Sequence, residues 1–471
     1  MNDLPYRTHP PVIIPRDQHP VSRSLVSNAA LKVLYRLKDG GYQAFLVGGC
    51  VRDILLGIEP KDFDVATDAH PEDVRRLFRN CRLLGRRFRL AHVRSGQEII
   101  EVATFRAPHD PEEPEELATL DDEGMHDVDD DAMDAPSTDA GQQDDSGRLL
   151  RDNVYGTVDQ DIWRRDFTCN ALYYNIEDFS IWDYTGGVAD VKARVLRLIG
   201  DPETRYREDP VRMLRAVRFQ AKLGFTLHHD THAPMKHLAR LLDGIPPARL
   251  LDEFSKLFLA GFARRSFDLL SQQHLLEHLL PQVAKYLKHK PTGMARDLLD
   301  AGLAATDERV AAGKSVTPTF VLAVLLIGPI SAAAQRRFEN GQPASHAIAD
   351  ACDEVIGSQA SRISIPKRFS IPLREMLALQ PRFHRRDGRK SLALLVHPRF
   401  RAAYDFLLLR AAAGAEDPEV ARWWTEIQEL PPDERIKRVE MPRPPGQPAG
   451  ERGPRKRRRR GGGNRKPPAS D

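Results

Sequence analysis

The segment that decides the fold covers residues 45–67 and reads FLVGGCVRDILLGIEPKDFDVAT. Its apolar start predicts a strand over 42–47, and the glycine pair that follows predicts a sharp turn into a short helix over 50–56. DFDVAT at 62–67 is predicted as a second strand. A strand, a glycine turn, a short helix and a second strand indicate a small α+β domain.

Two acidic residues of this segment are spaced two positions apart on the second predicted strand. Because side chains i and i+2 of a strand point to the same face, we expect Asp62 and Asp64 to lie side by side. Paired carboxylates repel each other unless a divalent cation lies between them, and Mg²⁺ takes one or two carboxylates together with substrate phosphates. Glu101 is a candidate third ligand if its strand lies beside 62–67. The alternative for an Asp-x-Asp pair is an exposed turn.

The glycine pair is a candidate phosphate site. Without side chains, Gly48 and Gly49 let backbone N–H groups approach an anion, which the dipole of the following helix also favours. Arg52, one turn into that helix, can add a charge-assisted contact. The alternative is a purely structural turn. The sequence lacks the P-loop pattern GxxxxGK[ST] and the dinucleotide pattern GxGxxG, which excludes an ordinary ATPase and a Rossmann dehydrogenase.

Helices and strands alternate through the first half of the chain. A helix is predicted after Ser27, which can cap it, another over 70–80, and a β-meander over 83–105. RRDFTCNALYYN (164–175) is predicted as a helix leading into a strand, and helical patterns dominate from about 190 to 430. The predicted fold class is α+β: a small head with a mixed β-sheet and helices, then an all-α neck and body, and a disordered basic tail.

Charge is distributed unevenly along the 471 residues. The formal net charge is +3, but residues 107–147 hold sixteen acidic and no basic residues, and residues 452–466 hold nine basic and no acidic ones. Without these two segments the remainder carries +10. A basic body and tail favour a phosphate-rich partner such as RNA, although a basic terminus can also be merely solubilising. The acidic segment is expected to be a disordered, solvated insertion.

Nothing in the sequence indicates export or membrane insertion. The longest apolar run, at 320–327, is far shorter than the ~20 residues needed to span a bilayer, and the N-terminus lacks the apolar stretch of a signal peptide. The four cysteines have no metal-binding spacing. We therefore expect a reduced, cytoplasmic protein without a membrane or disulfide-linked partner.

Three motifs together resemble a known superfamily. Residues 45–67, RRDFTCNALYYN (164–175) and REDPVRMLRAVRF (207–219) are similar, in this order, to the motifs of class II nucleotidyltransferases, the superfamily of bacterial poly(A) polymerases and tRNA CCA-adding enzymes. The resemblance covers 20–280 closely and extends more loosely to about 430. The chain is accordingly divided into an N-terminal arm (1–22), a catalytic head (23–200, with the insertion 107–147), a nucleotide- and RNA-binding neck (201–285), an RNA-binding body (286–435) and a basic tail (436–471).

The resemblance implies a role for each motif. Asp62 and Asp64 would bind two Mg²⁺ ions, one activating the RNA 3′-hydroxyl and the other holding the triphosphate of ATP, with phosphates held by Gly48, Gly49 and Arg52. In the second motif, Asp166 and Asn170 are four residues apart and would share a helical face beside the cation of Arg165. The superfamily assigns this motif to the sugar and triphosphate. Either Glu101 or Asp166 is the third catalytic acid, and the sequence leaves that choice open.

The third motif predicts base selection. Asp209 can cap a helix that begins at Pro210, and Arg212 and Arg215 follow at intervals of three. An Asp that accepts and an Arg that donates complement the edge of adenine or cytosine, whereas guanine and uracil would leave buried groups unpaired. Asp209 with Arg212 therefore predicts a preference for ATP or CTP. A capped helix with a solvated arginine face is the alternative.

The superfamily branch is predicted from LLGRRFRLAHV (83–93), which resembles the stretch that marks bacterial poly(A) polymerases, and from the basic tail. This implies a monomeric, template-independent polymerase that adds AMP from ATP to RNA 3′ ends, with RNA-decay proteins as candidate partners. A tRNA CCA-adding enzyme is the close rival, and an RNA-binding scaffold with an inactive head is the second. Because no His-Asp cluster is evident in the C-terminal half, we expect no added phosphohydrolase activity.

Overall fold

The computed structural model describes residues 10–84, 89–107, 142–143, 149–151 and 154–440. Most of the predicted acidic insertion, part of 83–93 and the tail beyond 440 lie outside these residues. The strands are β1 Val12–Ile14, β2 Ala44–Val47, β3 Asp64–Thr67, β4 Cys81–Leu84, β5 Leu90–Ser95, β6 Glu98–Thr104, β7 Gln142–Gln143, β8 Leu149–Arg151, β9 Leu172–Asn175, β10 Ile181–Asp183, β11 Val195–Leu196 and β12 Thr226–Leu227.

The helices are α1 Asn28–Asp39, α2 Gly49–Leu55, α3 Pro71–Leu77, α4 Val158–Arg164, α5 Gly187–Ala193, α6 Pro202–Glu208, α7 Val211–Leu223, α8 His229–His232, α9 Met235–Leu238, α10 Pro247–Phe258, α11 Ala263–Gln272, α12 Leu276–Leu279, α13 Pro281–His289, α14 Met294–Ala311, α15 Pro318–Glu339, α16 Ala344–Ile363, α17 Lys367–Leu379, α18 Arg389–Leu395, α19 Phe400–Ala412, α20 Pro418–Glu429 and α21 Pro432–Glu440. Short 3₁₀ helices lie at Arg16–Gln18, Arg23–Leu25, Thr168–Asn170, Ala239–Gly244 and Gln380–His384.

The chain forms two compact units. The first comprises residues 1–284 with 361–364, and the second comprises 285–360 with 365–471. The first unit holds the β-sheet, while the second is built from helices over its described residues. The predicted α+β class, with a sheet-containing head followed by helices, is confirmed.

The main sheet is mixed and has eight strands in the order β1-β10-β9-β2-β3-β6-β5-β4. Its neighbours are antiparallel except β3 and β6, which pair in parallel. In this register Val47 lies opposite Asp64, and Asp64 lies opposite Glu101. The strand of Glu101 therefore lies beside β3, as the sequence analysis required for a third ligand.

An aromatic cluster holds the central strands in place. Phe45 on β2 packs edge-on against Tyr173 of β9, with ring centroids 5.8 Å apart, and against Trp182 of β10 at 5.1 Å. Ile162 of α4 is fully buried in the same cluster. This packing fixes the level at which β2 ends and β3 begins, and so the position of the residues next to these strand ends.

Several predicted elements are confirmed with small boundary shifts. Ser27 caps α1 by accepting a hydrogen bond from the Ala30 N–H at 3.1 Å. The β-meander is β4, β5 and β6. The predicted irregular arm is wrong at Val12–Ile14, which pairs with β10 at the sheet edge. The all-helical prediction after 190 misses the short β11–β12 pair. Strands of two or three residues are too short to produce a periodic pattern.

The predicted helix at the start of 164–175 is wrong. Helix α4 ends at Arg164, the backbone of Arg165 and Phe167 is extended, and a 3₁₀ turn follows. Long-range backbone bonds replace helical ones, because the Thr168 N–H donates to the carbonyl of Arg197. Tertiary pairing therefore overrides local propensity here. At the other end of the chain, α21 continues to Glu440, so the predicted disorder is wrong for 436–440.

Among the described residues, one helix, α15, is long and apolar enough to cross a membrane. Within its most apolar window, 61% of the residues are buried inside the protein, which is the behaviour of a core helix in a folded domain. None of the four cysteines forms a disulfide.

The contact between α5 and the 3₁₀ turn is tight enough to test. A Cβ at Gly187 would lie 2.2 Å from the carbonyl oxygen of Thr168. Because that oxygen is backbone, Gly187→Ala is expected to lower the free energy of unfolding by about 1–3 kcal/mol, measured by urea denaturation. Ala189→Ser, at an exposed position of the same helix, should change it by no more than about 0.5 kcal/mol. Equal midpoints for the two variants would contradict this packing.

Candidate active site

Two aspartates lie where β3 begins. Asp64 is the first residue of β3 and is partly buried, while Asp62 is exposed in the loop just before it. Phe63 and Val65 are buried. This alternation of burial extends the strand pattern back to Asp62, although the regular strand starts two residues later than predicted.

A third acid adds to the local negative charge. Burial, with the negative charges of Glu101 and Asp62, raises the pKa of Asp64 to about 6, against the opposing charge of Arg165. Glu101 is Asp64's neighbour on β6 and is half-exposed, with its nearest basic group the His92 Nε2 at 3.5 Å. The structure therefore brings Asp62, Asp64 and Glu101 into one acidic group.

This acidic group can form a divalent metal site only if a substrate supplies further oxygen ligands. Across the described part of the chain, no set of three or more His, Cys, Asp or Glu residues is arranged to hold an ion by itself. Among the residues that the structure describes, no group donates a hydrogen bond to the carboxylate of Asp64. A mutually repelling, hard-oxygen donor set of this kind fits Mg²⁺, which completes its shell with phosphate oxygens and water.

The glycine turn lies beside the acids. Gly48 directly follows Val47, the residue opposite Asp64. Its backbone has φ +74°, a conformation that residues other than glycine adopt only with strain. A Cβ there would lie 3.7 Å from Nη1 of Arg165. Helix α2 then begins at Gly49. The Gly48 N–H donates to the carbonyl of Leu172 at 3.2 Å, and a guanidinium lies close to the turn.

Arg52 is buried, and its guanidinium is hydrogen-bonded to other residues of the protein. Its Nε and Nη2 donate to Asp53 at 2.8 and 2.7 Å, and its Nη1 donates to Oδ1 of Asn170 at 2.5 Å. The amide of Asn170 in turn donates to Asp166 at 3.2 Å. The second motif is therefore tied to α2 by a chain of buried polar contacts. The predicted phosphate contact of Arg52 stays a prediction.

Asp166 is neutralised by a long-range partner. Arg215 of α7 donates to it through Nε at 2.8 Å and Nη2 at 2.5 Å, while the Phe167 N–H and Asn170 supply further bonds. Burial opposes ionisation of Asp166, but the Arg215 guanidinium and these bonds outweigh it and hold its pKa at about 2. Asp166 and Asn170 do meet, although not on the predicted helix.

Arg165 is held by two residues that the sequence analysis missed. Its Nη2 donates to Asp161 at 3.0 Å and its Nε donates to the hydroxyl of Tyr173 at 2.5 Å. Burial opposes its charge, but the interactions with Tyr173 and with the carboxylate of Asp161 outweigh burial and raise the Arg165 pKa above its ordinary value. Asp161 lies four residues before Arg165, a spacing that predicts a pair only within a helix.

The two predicted base-reading residues have separate partners. Asp209 caps the start of α7 by accepting from the Val211 N–H at 3.2 Å, and Arg249 of α10 donates to it at 2.6 Å. Burial opposes ionisation of Asp209, yet the charges of Arg249 and Arg212 lower its pKa. Arg212 donates to Glu208 at 3.0 Å. Arg249, forty residues from Asp209, carried no local signal in the sequence.

Family models match three parts of the chain. Residues 44–197 match the poly A polymerase head domain, 224–287 match a probable RNA and SrmB-binding site of polymerase A, and 340–462 match a polymerase A arginine-rich C-terminus. The three matches follow the order of the predicted head, neck and body.

Full-length relatives agree with these matches. The chain is 46% identical to poly(A) polymerase I of Escherichia coli O6:H1, over 94% of this chain and 92% of the relative, and 43% identical to poly(A) polymerase I of Haemophilus influenzae, over 88% of each. A CCA-adding enzyme of Lactobacillus helveticus is 33% identical over 56% of this chain and 60% of its own. The Bacillus stearothermophilus CCA-adding enzyme in complex with CTP shares the fold, with a TM-score of 0.56 at 23% identity, covering 90% of this chain and 88% of that one.

The fold and the acidic group beside a glycine turn define a nucleotidyltransferase with a class II head. The chain belongs to the poly(A) polymerase family, whose members match it over nearly their whole length. The CCA-adding enzymes are more distant relatives.

The raised pKa of Asp64 has a consequence for stability. Since its pKa rises from 3.8 in the unfolded chain to about 6 in the fold, ionising Asp64 destabilises the metal-free protein as pH rises through that interval. In EDTA at pH 8, Asp64→Asn should therefore melt at a higher temperature than the wild type, because its free energy of unfolding is higher by about 1–3 kcal/mol. The difference should vanish below pH ~4.

The control for this measurement is Asp39→Asn, at an exposed position that ends α1, which should leave the melting temperature unchanged. Millimolar Mg²⁺ should raise the melting temperature of the wild type and not that of Asp64→Asn. Identical melting curves for wild type and Asp64→Asn at pH 8 would contradict the crowding of acids.

Proposed function

We propose that this chain adds AMP from ATP to RNA 3′ ends without a template, using Mg²⁺ held by Asp62 and Asp64. The observation that carries the proposal is the position of Asp64. It lies opposite Val47 on one neighbouring strand and Glu101 on the other, and Val47 directly precedes the Gly48 turn. Membership of the poly(A) polymerase family supports the reaction class.

Bound Mg²⁺ would supply Lewis-acid activation of the 3′-hydroxyl and neutralisation of the triphosphate. The protein's part is positioning. The Gly48 N–H already donates to the carbonyl of Leu172, so Gly49 is the glycine that offers its backbone N–H to the phosphates. Arg165, kept cationic by Asp161, adds charge next to that turn. Asn170 orients Arg52 beneath it.

Base selection is assigned to Asp209 and Arg212 at the start of α7. The Arg249 contact uses one oxygen of Asp209 and the α7 cap uses the other, so the direction of the carboxylate is fixed. An oriented acceptor beside an arginine favours adenine or cytosine over guanine or uracil, because the wrong base leaves buried groups unpaired.

Glu101 is the better candidate for the third acid. Its charge acts directly on Asp64, whereas both oxygens of Asp166 accept hydrogen bonds and its charge is balanced by Arg215. Asp166 is accordingly proposed as a positioning residue that joins α7 to the head.

Two variants separate these roles. Glu101→Gln should lower kcat for AMP incorporation about 10- to 100-fold with little change in melting temperature, because Glu101 is exposed. Asp166→Asn should also destabilise the fold, by up to about 3–5 kcal/mol, since it leaves Arg215 without its partner. Full activity in Glu101→Gln would remove Glu101 from the mechanism.

The reaction itself is tested with purified full-length chain, Mg²⁺, a labelled single-stranded RNA primer and one nucleoside triphosphate at a time. Long extension with ATP alone is expected, and Asp62→Ala should abolish it while keeping the wild-type melting temperature. Incorporation of CTP confined to tRNA ends would identify a CCA-adding enzyme instead. RNA binding by an otherwise inactive wild type would identify a scaffold.

A further inference from the structure

One face of α7 carries more positive charge than the nucleotide site uses. Arg215, Arg218, Phe219 and Lys222 follow at helical intervals of three and four, so they share this face. The guanidinium carbon of Arg218 lies 4.7 Å from the centroid of the Phe219 ring, and those of Arg215 and Arg52 lie 5.6 Å from it. Three guanidiniums therefore surround one aromatic ring.

Two of these guanidiniums are balanced by carboxylates. Arg52 pairs with Asp53, and Arg215 pairs with Asp166. Within the described part of the chain Arg218 forms no such ion pair, although the charges of Glu253 and Asp166 act on it, and its buried Nε makes no hydrogen bond. A buried donor without a partner is unfavourable, and the binding of an acceptor would relieve that cost.

Two lysines extend the charge toward the catalytic acids. Lys222 is exposed one turn beyond Arg218. Burial of its stem and the positive charges of Arg52, Arg218 and Lys61 lower the Lys222 pKa, despite the opposing charge of Asp53. Lys61 is exposed and directly precedes Asp62. Lys222 on α7 and Lys61 beside the first catalytic aspartate are therefore close enough for their charges to interact.

We propose that Lys61, Arg218 and Lys222, here called the cationic face, bind backbone phosphates of the RNA primer close behind its 3′ end. The inference rests on the proposed function, because it takes Asp62 as the point that the 3′-hydroxyl reaches. This face lies outside residues 224–287, the segment that matches the RNA-binding family model.

The triphosphate of ATP is the other phosphate source, and three observations favour RNA. Gly49, the first residue of α2, already offers the triphosphate a backbone N–H close to Asp64. The arginines nearest to the nucleotide motifs, Arg52 and Arg215, are neutralised by the protein. The two lysines are instead exposed, and long flexible cations on an open surface suit a polymer whose phosphates pass without sequence readout.

The test measures binding of a labelled 15-nucleotide single-stranded RNA to the full-length chain by fluorescence anisotropy, without ATP or metal, over a range of salt concentrations. Lys222→Ala should bind several-fold more weakly, and Lys61→Ala/Lys222→Ala roughly three- to tenfold more weakly. The slope of log affinity against log salt should fall by about 0.7 for each lysine removed. Lys222→Arg, which keeps the charge, should bind like the wild type.

Lys38→Ala is the matched control. Lys38 is exposed near the end of α1 that leads to the far end of β2, away from Val47, so its loss should leave affinity and slope unchanged. Arg218 is left intact because it packs on Phe219 and its loss endangers the fold.

Two results would overturn the proposal: wild-type affinity and slope in the double lysine variant, or unchanged RNA affinity with a raised KM for ATP, which would assign the face to the triphosphate. Because the binding measurement uses no ATP and no metal, it stands apart from catalysis. A wild type that binds RNA through these lysines but incorporates no AMP would refute the proposed reaction and leave the cationic face supported.

Discussion

The active site of the head is organised around one unfavourable interaction, the repulsion among Asp62, Asp64 and Glu101. Parallel pairing of β3 with β6 puts two of these acids directly opposite each other, and the strand pattern adds the third. The fold tolerates the repulsion by leaving Asp62 and Glu101 open to solvent and by placing Arg165 nearby. A cation that entered this group would relieve the repulsion, so the repulsion would favour metal binding.

Around this centre the opposite charges are carefully paired. Asp166 joins Arg215 of α7 to Asn170 and, through it, to Arg52 of α2. The helix that carries the proposed base-reading residues and the helix behind the glycine turn therefore share one polar network. Such a network fixes the relative positions of its residues more than it adds to stability, because the attraction within a buried ion pair roughly offsets the cost of desolvating it. The elements proposed to hold the ATP phosphates and the base therefore cannot shift independently.

The sequence correctly predicts the features that depend on the spacing of residues close together in the chain. The Asp-x-Asp pair, the glycine turn, the Ser27 cap and the helix after Asp209 each lie within a few residues, and each is present. The partners that set their chemistry are far away in the chain: Arg215 for Asp166 and Arg249 for Asp209. No periodic pattern encodes such pairs. For the same reason the segment after Arg164 was predicted as helix, although its backbone bonds with residues near 197.

The most direct measurement is a crystal structure of the full-length chain with Mn²⁺ and a non-hydrolysable ATP analogue, with the metal located by its anomalous scattering. The account predicts a metal peak bound by the carboxylates of Asp62 and Asp64, with the analogue's phosphates against the backbone of Gly48 and Gly49. A metal held elsewhere, or phosphates remote from that turn, would contradict it.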